Sequence, residues 1–107
     1  MARTFQEILR LIRNGEVKIS DHGYDELAAD GIYATDVLST VFEATVVEDY
    51  PDYPKGPCVL VLQQDRRGKP VHVLWGIPKG KLLPAVLVTA YRPDPKKWSA
   101  DFLRRRI

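Results

Sequence analysis

The chain has one cysteine, one methionine and two histidines in 107 residues, and each shortage excludes a class of function. One thiol cannot build a disulfide framework or a cysteine zinc cage, which suits a cytoplasmic setting. Two histidines leave a metal centre short of ligands, so neither metal nor cofactor is expected. No apolar run approaches the roughly 18 residues of a membrane span, and no membrane contact is expected. The opening Met1-Ala2-Arg3-Thr4 runs straight into an amphipathic pattern, so a signal peptide is not expected either. What is there is an ordinary globular composition, 45% hydrophobic and 28% charged, long enough for one domain spanning 1–107.

Basic residues are missing from one long stretch. Asp21 to Asp52 holds nine acidic side chains and no Lys or Arg, whereas Tyr53 to Ile107 holds twelve basic and three acidic ones. Placed on different faces, these segments make the domain a dipole with a basic surface for a polyanion. Packed together, they neutralise one another.

Thr4-Phe5-Gln6-Glu7 has the form of a capping box, and Phe5, Ile8, Leu9 and Ile12 follow at helical spacing until Asn14-Gly15. Val17-Lys18-Ile19 is a short extended piece. Ser20 or Asp21 caps a second helix with Tyr24, Leu27 and Ala28 inward, and Thr35 caps a third carrying Val37, Leu38, Val41 and Phe42. Strands are predicted at Thr45–Tyr50, Cys58–Gln63, Val71–Ile77 and Ala85–Tyr91, with hairpin chemistry at Asp65-Arg66-Arg67-Gly68. Short connections make these strands antiparallel. Asp94-Pro95 predicts a last short helix holding Trp98 and Phe102. The expected fold is α+β: N-terminal helices on a four-stranded antiparallel meander, closed by a C-terminal helix. The strands are apolar on both faces, so a second subunit is one way to cover the outer face, and a homodimer is expected.

Few residues could carry chemistry. His22 opens the second helix with Glu26 one turn behind it, which orients an imidazole or simply satisfies it. His72 points away from Val71, Val73 and Trp75, as a core group or as a base on an open face. Tyr91 and Arg92 end the last strand as a proton donor and phosphate clamp, or as packing and ion-pair groups. Alternation allows only one of the two to share the face of His72, and charge favours Arg92. Arg66, Arg67, Lys69, Lys79 and Lys81 crowd two turns as phosphate-binding candidates.

Ile19-Ser20-Asp21-His22-Gly23-Tyr24-Asp25-Glu26-Leu27-Ala28-Ala29-Asp30-Gly31-Ile32, then Asp36-Val37-Leu38, Glu48-Asp49-Tyr50-Pro51, Pro70-Val71-His72-Val73 and Val88 to Pro95 with Trp98, resemble an uncharacterised prokaryotic family of small domains with toxin-like members. The likeness runs from about Val17 to Arg106. More distantly, such domains resemble the RelE-like toxin fold, many of whose members are ribonucleases. The resemblance implies metal-independent cleavage by His22, His72, Tyr91 and Arg92, with RNA and an antitoxin-like protein as partners. Many relatives carry arginine four residues after the first histidine. Here Glu26 stands there, and a carboxylate repels phosphate. Two expectations follow: a toxin-type ribonuclease or a relative that has lost the activity, and a non-catalytic interaction or self-association module.

Overall fold

A computed structural model describes residues 3–107; the Met1-Ala2 opening lies outside them. The first helix, α1 (Arg3–Arg13), buries Phe5, Ile8, Leu11 and Ile12. Leu9, expected inward, only flanks the core, and Leu11 takes its place. The extended piece forms strand β1 (Val17–Ile19). Helix α2 (Asp21–Ala29) starts where the Ser20 hydroxyl accepts the Gly23 amide at 2.9 Å, a standard side-chain cap.

Gly23 lets α2 approach the sheet. A Cβ there would lie 2.8 Å from the Leu87 carbonyl oxygen. Tyr24, expected inward, is exposed, because contact through Gly23 and Leu27 turns it outward. Helix α3 (Ala34–Thr40) has Tyr33, not Thr35, at its N-cap, with no side-chain cap. A turn of 3-10 helix at Val41–Glu43 leads into the sheet and leaves Phe42 exposed beneath Arg13.

Strands β2 (Thr45–Tyr50), β3 (Cys58–Gln64), β4 (Pro70–Gly76) and β5 (Ala85–Tyr91) pair antiparallel in sequence order. The sheet nonetheless departs from the expected fold. It has five strands in the order β1-β5-β4-β3-β2, and β1 runs parallel to β5 with Val17 opposite Ala85 and Ile19 opposite Leu87. The crossover between them is most of the domain, so no local turn signal could announce the pairing. Beyond β1, the edge of β5 is served by α2: Ser20 Oγ donates to the Val88 carbonyl at 3.0 Å, and Asp30 accepts the Arg92 amide at 2.9 Å.

The expected C-terminal helix is also absent from the described residues. One turn begins at Asp94, whose carbonyl accepts the amides of Lys97 and Trp98. Asp101 then accepts both the Ser99 hydroxyl and the Leu103 amide, Phe102 takes a φ of 60°, and Trp98 bridges back to Arg105. Side-chain bonds to nearby backbone here replace the helical ladder.

The core lies between the helices and one sheet face. Val59, Val61, Val73, Trp75 and Leu87 have no exposed surface there, and Val46 flanks them. Burying each such side chain contributes roughly 1.5–3 kcal/mol. Gln63 shares this face, accepting the Trp75 indole N–H at 3.0 Å and donating to the Val37 carbonyl at 2.8 Å. The opposite face carries Cys58, Leu60, Leu62, His72, Leu74 and Gly76. This face decides where function can sit.

Candidate functional site

His72 lies at one end of the second face, opposite Tyr91 in the β4–β5 register. The C-terminal segment folds over it and leaves it no exposed surface. Its Nε2 lies 2.8 Å from the Phe102 carbonyl oxygen, which can only accept, so Nε2 carries the proton. Nδ1 faces the Tyr91 hydroxyl at 3.2 Å, and the Trp98 ring meets the imidazole edge-on with centroids 4.4 Å apart. Burial holds the His72 pKa below its ordinary value, and burial likewise raises that of Tyr91. Arg105 ties the segment down through Glu48 at 2.8 Å and stacks over Trp98. Its guanidinium, ahead of the Tyr50 hydroxyl, lowers the Glu48 pKa.

Tyr91, not Arg92, therefore shares the face of His72. Arg92 turns the other way, reaching the Asp65 carboxylate at 2.8 Å and the Pro70 carbonyl at 3.3 Å. It lines a polar cleft of 280 Å³ with Tyr33, Asp36, Arg66, Arg67 and Lys69. The β3–β4 hairpin shapes this cleft: Gly68 takes the expected positive φ, 76°, and Asp65 accepts the amides of Arg67 and Lys69. Arg66 pairs with Asp36 at 3.0 Å and lies over the Tyr33 ring, 4.3 Å from its centroid. The Arg66 guanidinium holds the Asp36 carboxyl below its usual range. Asp65 is lowered as well: burial opposes ionisation, but the Lys69 and Arg67 amides and Arg92 outweigh it.

The remaining candidates are scattered. His22 is mostly exposed on the first turn of α2, 3.7 Å from Glu26, and among the described residues no hydrogen bond or ring contact joins it to His72. Lys79 and Lys81 follow β4 in a separate loop, so the two basic turns do not combine. Among the described residues no three His, Cys, Asp or Glu side chains converge as metal ligands.

The other half of the second face is open. A groove of 430 Å³ runs over it between Tyr50, Tyr53, Cys58, Leu74, Val86 and Val88, with Lys55 at its rim. Gly76 deepens the floor, where a Cβ would stand 3.4 Å from Cys58 and from the Pro57 carbonyl oxygen. Burial raises the pKa of the Cys58 thiol, which keeps it protonated.

The family described as Domain of unknown function (DUF4258) matches residues 19–92. The chain belongs to this family. The match begins at the last residue of β1, takes in β2 through β5 and the whole polar cleft, and leaves α1 and the segment covering His72 outside. No curated protein and no solved structure matches the chain. Nothing in these comparisons indicates a RelE-like toxin or a prokaryotic source.

Sequence reasoning missed Tyr33, Asp36 and Asp65 in the cleft, and Glu48, Trp98 and Arg105 as the cover of His72. Asp65 carried a signal, since an aspartate opening a turn before Gly commonly bonds its own loop. The Glu48–Arg105 pair joins residues 57 positions apart and had none.

Proposed function

We propose that the domain is a non-catalytic interaction module that self-associates through the open half of its second sheet face. The carrying observation is the groove itself: an apolar sheet surface with Tyr50, Tyr53 and Val88 exposed, of the kind that marks an interaction site. A second copy of the chain is the occupant. Two sheet faces stack about 10 Å apart with side chains interleaved, and a two-fold axis makes one patch its own complement. Charge fits too. Asp52 lies between Tyr50 and Tyr53 in the chain, and Lys79 sits beside Lys55, whose carbonyl accepts its amide at 3.1 Å. An opposed copy can set the acid of one against the lysines of the other.

The ribonuclease reading has less support. It asks for an accessible base and a phosphate clamp in one place, whereas His72 is sealed with both ring nitrogens engaged and Arg92 opens into a different cleft.

Sedimentation equilibrium across the micromolar range tests the proposal, with a monomer–dimer equilibrium expected. A strict monomer at the highest concentration, with Val88→Glu indistinguishable from wild type, overturns it.

A further inference from the structure

The polar cleft is not used by self-association, and its charge is unbalanced. Arg66, Arg67, Lys69 and Arg92 face two carboxylates, Asp36 and Asp65. Both acids are already committed. Asp36 accepts the Arg66 amide and its guanidinium, while Asp65 accepts two hairpin amides and Arg92. They hold the arginines in place without cancelling the site, and the lining keeps two net positive charges. Arg67 and Lys69 have no ion-pair partner among the described residues.

Tyr33 adds an aromatic wall. Arg66 covers one side of its ring, and the residue remains 62% exposed. Planar rings stack on such a surface, and arginines fixed beforehand bind phosphate with little further ordering. The volume, 280 Å³, lies just below the roughly 300 Å³ at which small-ligand sites begin, which suits a phosphate held inside with the base at the open Tyr33 wall.

From this charge and geometry we infer that the cleft binds a nucleotide 5′-phosphate, with the dianionic phosphate at Arg66, Arg67 and Lys69 and the base against Tyr33. Two positive charges match a phosphate monoester better than a diester, which carries one negative charge. A free mononucleotide and the 5′ end of an RNA present this same chemistry.

Amide chemical shifts of the full chain, followed by NMR, test the inference with four probes: inorganic phosphate, adenosine, adenosine 5′-monophosphate and a 5′-phosphorylated tetraribonucleotide. Adenosine 5′-monophosphate should shift the amides of Tyr33, Arg66, Arg67 and Lys69. It should bind about tenfold or more tightly than adenosine, and more weakly as salt rises. The paired substitution Arg67→Ala/Lys69→Ala should weaken it about tenfold or more while leaving the other amide positions unchanged. Tyr33→Leu should remove its advantage over inorganic phosphate. A tetranucleotide binding more tightly than the mononucleotide assigns the site to an RNA end; equal or weaker binding assigns it to the free nucleotide. Equal responses to adenosine and its monophosphate, or no response at millimolar nucleotide, overturn the inference. Neither result bears on the oligomeric state, so the two proposals fail separately.

Discussion

The two halves of the second sheet face differ in what lies over them, although both belong to the same sheet. Over the end of β4 and β5 near His72, the C-terminal segment lays down Trp98, the Phe102 carbonyl and the Arg105–Glu48 pair. Over the other end, around Leu74, Gly76 and Val88, none of the described residues closes the groove over the apolar surface. A polar group is buried where neighbouring groups satisfy it, and an apolar surface stays open where the described residues place no cover. A histidine in a strand is thus no sign of an active face by itself.

Substitutions can break this contrast, beginning with the covered half. Trp98→Ala removes the largest covering side chain and should cost about 3–5 kcal/mol in denaturant unfolding. It should also expose His72 to solvent-borne titration in NMR.

His72→Leu should cost about 1–3 kcal/mol, because the Phe102 carbonyl loses its donor inside a closed site. The same residue sets a pH dependence. Its folded pKa lies below the ordinary 6.5, so the unfolded chain takes up the proton first as pH falls. The stability held above about pH 6.5 should decline below it in wild type, and the decline should be shallower in His72→Leu. A parallel pH profile for the two proteins would show that His72 is accessible.

Glu48→Gln should cost no more than about 1 kcal/mol, since the Arg105 side chain it holds is largely exposed. This effect should shrink in high salt.

In the open half the smallest change in folding is expected. Val88→Glu should leave monomer stability within about 0.5 kcal/mol, measured at concentrations too low for association, while shifting sedimentation toward the monomer. A large loss of folding stability would mean that this half is as structurally committed as the other.

Much of this was legible locally. The Ser20 cap, the Phe5-Ile8-Ile12 stripe, the four hairpin-connected strands and the positive φ at Gly68 all rest on interactions a few residues apart. The face of His72 could be read from its alternation with Val71, Val73 and Trp75. Which of Tyr91 and Arg92 would join it could be framed by the same alternation, but charge was a poor guide. Arginine went where Asp65 waited, and tyrosine went where its ring could be buried.

By itself, the sequence determined what periodicity and turn chemistry control: three amphipathic helices, an antiparallel run of strands, and apolar residues on both sheet faces. Tertiary structure decided the rest. It paired the three-residue β1 with β5 across most of the chain, because so short a strand gains its energy only from a partner already in place. It unwound the expected final helix, because Asp101 and the Trp98–Arg105 bridge offered the backbone other bonds over the sheet. It also sent His72 into a closed site and Arg92 into the polar cleft. Those choices depend on contacts between distant residues, whose loop-closure cost and packing reward no local window records.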